Sequence, residues 1–320
     1  MATDTSLLPE HHWKGLPPLQ LPCSRKARVG RFILNSLGKL PLWLNHGVAS
    51  VIGTIIFCLP LNYRNNARDN LKRCFPEYGP LRRSFMLLRT MQETAKNFAE
   101  MGYLWARPPR KVLAKIREIQ GEHLLDQAVA SGRPILFGAP HLGAWELLSI
   151  FLASRTRISS LYRARKDAGL DRLILDARCR FGANMISTDA AGIRSLIKHL
   201  RAGETIGILP DHRPQSQQGV YAPFFGHPAY TATLFPKLCQ RYKPVVLCGF
   251  ARRLSFGRGY CIHICEPGPE IYSSDEQESA AALNATIETL ARSAVSQYQW
   301  TYQRFTGSEQ AGQSEPLGTS

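Results

Sequence analysis

The sequence predicts an α/β protein: a mixed, largely parallel sheet flanked by helices, preceded by a helical segment that associates with a membrane. Three observations carry this reading. Strand and helix patterns alternate from about residue 106 onward. A short apolar run, Ile135-Leu136-Phe137, is interrupted by Pro140, His141 and Gly143 before Trp145-Glu146-Leu147-Leu148 opens a helical pattern. No Lys, Arg, Asp or Glu occurs from Leu40 to Leu61. Alternation of strands with helices is the signature of βαβ units and hence of parallel pairing. A chain of 320 residues with 44% hydrophobic content suits one core domain of roughly 250 residues plus appendages.

Residues 1–23 are polar and proline-bearing (Leu16-Pro17-Pro18, Leu21-Pro22) and read as a disordered lead. Residues 24–105 read as a helical anchoring segment. Its charge-free run has the length of the ~20 apolar residues that cross a bilayer core. Pro41, Asn45, His46, Gly47, Ser50, Gly53 and Thr54 dilute that run, however. Basic residues flank it on both sides: Arg25, Lys26, Arg28, Arg31 and Lys39 before, Arg64, Arg68, Lys72 and Arg73 after. With Trp43, this pattern favours a helix lying in the interface, or a marginal span, over a buried core helix. The late start of the run fits a cleaved signal peptide poorly.

Residues 64–105 look helical, with a break at Pro76–Pro80, and Arg107-Pro108-Pro109-Arg110 closes the segment. In the α/β domain, residues 106–306, strands are expected at 115–120, 134–139, 158–162, 205–209, 244–252 and 259–266. Helices are expected at 122–131, 231–242 and 276–298. The apolar stripes Leu170, Leu173, Ile174, Ala177, Phe181 and Ile193, Leu196, Ile197, Leu200 mark two more. The tail from Gly307 to Ser320 is low in complexity and reads as disordered.

The formal net charge of +16 implies an acidic partner: nucleic acid, an anionic membrane surface or an acidic carrier protein. No nucleic-acid motif occurs and aromatics do not interleave with basic runs, which sets nucleic acid aside. The eight cysteines form no Cys-x-x-Cys pair, in keeping with a reducing cytoplasm. Cys261, His263 and Cys265 alternate on one strand face, where a metal site is conceivable; core packing is the better reading for buried free cysteine.

His141 falls at the carboxyl end of a strand, where open α/β sheets place their crevices. Glu146 follows in the first helical turn, whose positive dipole end tolerates an anion. With His141 in the loop, Glu146 can reach back to one ring nitrogen and leave the other as a base for a hydroxyl proton. Asp211, in Pro210-Asp211-His212, is likewise a polar residue just past a buried strand. Arg178 or Arg180, at the edges of the 170–181 stripe, and Arg163 or Arg165, past a strand end, suit an anion or oxyanion. Backbone amides near Gly143 are a further oxyanion candidate. No Gly-x-Ser-x-Gly elbow is present, which weighs against a serine acyl-enzyme.

Several blocks then occur in order: Gly-Glu-His-Leu-Leu (121–125), His-Leu-Gly-Ala-Trp-Glu (141–146), Leu161-Tyr162-Arg163, Leu209-Pro210-Asp211-His212, Gly219–Ala229 and Gln297–Phe305. Together they resemble the lipid A late acyltransferases, the lauroyl/myristoyl transferases of the lysophospholipid acyltransferase superfamily, from about Leu40 to Phe305. The Leu-Pro-Asp-His-Arg-Pro element stands where glycerolipid acyltransferases would show a Phe-Pro-Glu-Gly-Thr-Arg-like one. The resemblance implies acyl transfer from acyl carrier protein to a hydroxyl of a phosphorylated glucosamine lipid. It places this at the cytoplasmic face of the inner membrane of a Gram-negative bacterium, without metal or cofactor. By position it implies His141 as base, Glu146 as its orienting acid, and functional roles for Arg178 and Asp211, with Arg163 and Arg304 matching less securely. The long lead before Arg25 and the Gln297-Tyr-Gln-Trp spelling depart from the pattern and leave substrate identity open: an aminolipid or glycosylated phospholipid as acceptor, or acyl-CoA as donor, fits the same motifs. A non-catalytic basic membrane-surface protein is the rival from another class.

Overall fold

A computed structural model describes residues 24–305 apart from residue 216. The segments read as disordered, 1–23 and 307–320, lie outside the described residues. Helices α1 (Arg25–Lys39), α2 (Leu42–Cys58), α3 (Asn62–Cys74) and α4 (Pro80–Ala106) come first, and the short α5 (Pro109–Leu113) follows. The alternating part runs β1 (Ile116–Gln120), α6 (Glu122–Ala130), β2 (Ile135–Gly138), α7 (Trp145–Arg155), β3 (Ile158–Tyr162), α8 (Ala168–Cys179), β4 (Asn184–Ser187), α9 (Ala190–Arg201) and β5 (Thr205–Ile208). A hairpin of β6 (Gly219–Phe224) and β7 (His227–Ala232) precedes α10 (Leu234–Tyr242), β8 (Val245–Arg253), β9 (Tyr260–Cys265) and α11 (Glu276–Ser293).

The main sheet has the order β1-β9-β8-β2-β5-β3-β4. All neighbours are parallel except β8 and β9, which pair antiparallel. This is the mixed, largely parallel sheet expected. Every residue of β2 and β5 is buried, as befits central strands covered on both faces. The two are in register from Ile135↔Thr205 to Gly138↔Ile208, so they end at the same level. Residues 139–144 and 209–213 therefore leave the sheet side by side at its carboxyl edge, where an α/β crevice forms.

Helix α7 is apolar almost all round: Leu147, Leu148, Ile150, Phe151, Leu152 and Ala153 are all buried. Such a helix belongs inside a core. Asp167 and Asp189 cap α8 and α9 by accepting from the amides of Leu170 and Gly192, satisfying donors that a helix start leaves open.

The N-terminal helices pack by backbone approach. A Cβ on Gly102 of α4 would lie 2.4 Å from the Leu34 carbonyl oxygen of α1. One on Gly53 of α2 would lie 2.5 Å from Gln92 Cα of α4. The polar residues that dilute the 40–61 run form the inward face. Asn45 is fully buried and donates to the Leu37 and Ala99 carbonyls at 3.1 and 3.0 Å. His46 Nε2 lies 3.3 Å from Glu100 Oε2. The apolar residues Trp43, Val48, Val51, Ile52 and Ile55 face outward. With Phe32 and Ile33 of α1, and Phe85 and Phe98 of α4, they leave an exposed apolar surface.

No single described helix is long and apolar enough to cross a membrane; α2 and α3 together pass on composition but meet at a bend of 85°. The 17 residues of α2 extend only about 25 Å, short of a hydrocarbon core of about 30 Å.

Candidate active site

The chain leaves β2 through Ala139-Pro140-His141-Leu142-Gly143-Ala144, a loop held at nearly every peptide. The Ala139 amide donates to the Ile208 carbonyl at 2.9 Å. The Gly143 amide donates to the Gln297 carbonyl at 3.1 Å, and Ala144 to Ala251 at 2.8 Å. The His141 carbonyl accepts from the Gln299 amide at 3.0 Å. Gly143 is required here. Its φ is +59°, and a Cβ would lie 2.1 Å from the Ala251 carbonyl oxygen, a position only glycine occupies without strain.

His141 and Asp211 meet across the ends of β2 and β5. His141 Nδ1 lies 2.8 Å from Asp211 Oδ1, and the His141 amide donates to Asp211 Oδ2 at 2.9 Å. Asp211 is 2% exposed. Burial works to raise its pKa, but the His141 ring, its two hydrogen bonds and His212 prevail and hold the carboxyl below the usual carboxylate range. An ionised carboxylate only accepts, so Nδ1 carries a proton and Nε2 is the ring nitrogen left to face a substrate. The His141 side chain is 16% exposed, and no described hydrogen bond engages Nε2.

His141 is the inner member of a ring stack. His212 lies parallel to it with centroids 3.8 Å apart and 4° between planes, and Tyr302 stacks on His212 at 3.8 Å and 10°. His212 Nε2 donates to Gln299 Oε1 at 2.9 Å. Burial, then the neighbouring His141, lower the His212 pKa to about 4, so the middle ring is neutral near pH 7. Trp145 meets His141 edge-on at 5.3 Å.

Glu146 is placed differently from the expectation that it reaches back to the His141 ring. It sits in the first turn of α7 and turns towards α8. There Arg178 Nε donates to Oε2 at 3.1 Å and Nη2 to Oε1 at 2.5 Å. Asp211 already occupies the ring nitrogen from the neighbouring strand end. Arg178, expected to hold an anionic group or oxyanion, has its planar fork filled by Glu146. Burial alone would lower its pKa, but that carboxylate raises it. The Gly143 amide, an expected oxyanion donor, is committed to Gln297.

The other basic candidates separate. Arg163 is exposed past the end of β3 and lines a polar cavity. The Arg165 amide donates to Asp171. Arg180 turns away to the Trp105 carbonyl at 2.7 Å. Arg304 is buried, donating to the Tyr230 carbonyl, Thr231 and Asn284, where it joins the hairpin, α11 and the chain end. Among the described residues no three His, Cys, Asp or Glu side chains converge as a metal site; His263 stacks on Phe250 at 4.9 Å.

Sequence reasoning missed His212, Gln299, Tyr302 and Arg253. The first three lie inside the quoted 209–212 and 297–305 blocks, which was the available signal. Arg253 is 5% exposed and donates to the Gly143 carbonyl at 3.0 Å and to Glu100 Oε2 at 2.9 Å. It ties the histidine loop to α4.

An imidazole oriented by a buried carboxylate at a strand end is equipped to activate a hydroxyl, the first step of group transfer to an alcohol. The chain matches the bacterial lipid A biosynthesis acyltransferase family over residues 19–306 and belongs to it; it is an acyltransferase. It is 30% identical over 278 residues to a lipid A biosynthesis acyltransferase of Haemophilus influenzae, covering 86% of each chain. It is 27% identical to the lipid A biosynthesis lauroyltransferase of Escherichia coli, covering 74% of this chain and 76% of that one. The Escherichia coli lipid A biosynthesis palmitoleoyltransferase is 26% identical, with 84% and 89% covered.

Proposed function

We propose that the protein transfers a fatty acyl chain from acyl carrier protein to a hydroxyl of a lipid A precursor, at the cytoplasmic face of the inner membrane. The observation that carries the chemistry is the His141–Asp211 pair, with Nδ1 held at 2.8 Å and Nε2 left to act as base. Nε2 takes the acceptor hydroxyl proton as that oxygen attacks the thioester carbonyl. The tetrahedral intermediate collapses by breaking the carbon–sulfur bond, and the imidazolium returns the proton to the leaving thiolate. Asp211 stabilises the imidazolium while it exists. With the Gly143 amide engaged, developing negative charge falls to the positive end of α7 and to cationic side chains. Glu146 and Arg178 serve as a positioning pair that fixes α7 against α8.

The acceptor follows from the names of the relatives, and the donor from the strongly basic chain facing an acidic carrier. The outward apolar face of α1, α2 and α4 supports attachment in the plane of the membrane, with basic residues alongside for anionic headgroups.

The experiment is transfer of a labelled acyl chain by purified protein in detergent, with acyl carrier protein and CoA thioesters offered side by side to a phosphorylated glucosamine lipid. Wild type should label the lipid from the carrier thioester, and folded His141→Ala should not. Near-normal turnover by His141→Ala would overturn the mechanism. Labelling from CoA alone would overturn the donor.

A further inference from the structure

Beside the ring stack opens a polar cavity of about 470 Å³, lined by Arg163, Thr188, Arg213, Gln215, Gln218 and Tyr302. Its volume lies within the ~300–1,000 Å³ of small-molecule sites, but its lining is unsuited to an acyl chain. Tyr302 joins it to the catalytic loop. Its ring is the outer member of the stack that ends on His141, and its hydroxyl accepts from the Arg213 amide at 3.0 Å.

The charges of this cavity are uncompensated. Arg155, Arg172, Arg178, Arg253 and Arg292 each pair with a carboxylate. Neither Arg163 nor Arg213 has a carboxylate partner among the described ion pairs, and no Asp or Glu lines the cavity. Two guanidinium groups, amide side chains and a threonine hydroxyl facing one water-accessible space form a donor-rich, cationic site. A guanidinium fork matches the oxygens of a phosphoryl group.

We propose that this cavity binds a phosphoryl group of a substrate, with Arg163 and Arg213 as its cationic ligands, and so sets the acceptor or donor in register with His141. The proposal rests on the acyltransfer reading above. Two sources offer the same chemistry: the phosphate on the acceptor sugar, and the phosphodiester of the donor's pantetheine arm.

The test compares wild type, Arg163→Gln, Arg213→Gln and the double variant in detergent. Each is given the glucosamine lipid before and after phosphatase treatment, and acyl-phosphopantetheine against acyl-pantetheine. Wild type should prefer the phosphorylated form of one substrate by about tenfold or more in kcat/KM. The double variant should bring that ratio close to one, mainly through KM. Collapse of the acceptor ratio identifies the lipid phosphate, and collapse of the donor ratio identifies the pantetheine phosphate. Lys237→Gln, at an exposed position of α10, removes one positive charge away from the cavity and should leave both ratios as in wild type. Wild-type ratios in the double variant, or equal loss in Lys237→Gln, would overturn the proposal.

Titration with inorganic phosphate, read calorimetrically, separates this from failure of the acyltransfer reading. Wild type and the inactive His141→Ala should bind alike, and the double variant about tenfold more weakly. Equal binding by all three overturns the site, whatever the turnover assay shows.

Discussion

An imidazole held through Nδ1 by an ionised carboxylate keeps its proton on that nitrogen, and the basic character of Nε2 follows from that bond alone. Asp211→Asn keeps the shape but lets the amide donate to Nδ1, which moves the ring proton to Nε2. The expected loss in kcat is about 10²–10⁴-fold with little change in KM, measured by steady-state transfer assays on folded protein. The Glu146–Arg178 pair predicts a different signature. The two side chains act as one unit, so Glu146→Ala, Arg178→Ala and the double variant should be non-additive, with a coupling of about 1–3 kcal/mol in urea unfolding. Additive effects would mean that the pair does not position α7 against α8. The sequence marks both His141 and Asp211 as polar residues past buried strands. It also offers Glu146, five positions away, as the partner of the ring. Choosing between a carboxylate near in sequence and one seventy residues off requires knowing that β2 and β5 are neighbours in register. Periodicity identifies strands but not their order in the sheet.

Helix α2 inverts the usual amphipathic arrangement: its polar residues pack on protein and its apolar ones face outward. Read linearly, Asn45, His46, Gly47 and Gly53 dilute a membrane span. In three dimensions Asn45, His46 and Gly53 form the contact with α1 and α4, and what remains is the stripe Val48, Val51, Ile52 and Ile55, spaced as one helical face. Val51→Glu and Ile55→Glu change side chains that are 62% and 56% exposed, so folding should be little affected. Partition into anionic vesicles should fall about tenfold or more for the pair, since burying a charge in the interface opposes apolar transfer. Co-sedimentation with vesicles measures this. Binding unchanged by both substitutions would move the docking face off α2. Most elements of the α/β part were legible because their strands are apolar runs and their helices carry stripes. Strand β4 was not, because Asn184-Met185-Ile186-Ser187 is a short edge strand with one buried residue and no alternation to detect. The β6–β7 hairpin entered the sequence reading only as a motif, since its mixed small and aromatic residues imitate a loop.

At the scale of the whole molecule, the N-terminal helices and the histidine loop share one buried charge cluster. Arg253 donates to Glu100 and to the Gly143 carbonyl, and it lies 3.4 Å from Glu93. Arg253→Met would take the guanidinium away from buried Glu100, at a cost of about 3–5 kcal/mol, and release the carbonyl that fixes the loop, while Glu93 keeps Lys96 at 2.6 Å. Both lower thermal stability and reduced kcat are expected, read by thermal unfolding and turnover in the same detergent; an unaltered unfolding midpoint would deny the cluster its structural role.

The pH dependence of stability should show two acid windows. Burial raises the Glu100 pKa, but the Arg253 charge outweighs it and leaves the group at about 2 against an ordinary 4.5. Its stabilisation is therefore complete above pH 4.5 and is lost as pH falls from there towards 2. His212 acts at higher pH. Its folded pKa of about 4 lies below the ordinary 6.5, so between those values the unfolded chain binds a proton that the folded chain refuses. Stability then rises with pH across that window. The loss on acidification from pH 6.5 to 4 should be roughly 1–3 kcal/mol. His212→Phe keeps an aromatic ring between His141 and Tyr302 but cannot take up a proton. Urea unfolding midpoints followed from pH 7 to 4 should therefore decline less in His212→Phe than in wild type. Below pH 4, past the His212 window, the two proteins should fall together as Glu100 and Asp211 are neutralised. Parallel decline across the whole range would mean that His212 is protonated in the folded stack, against the burial and ring contacts that keep it neutral.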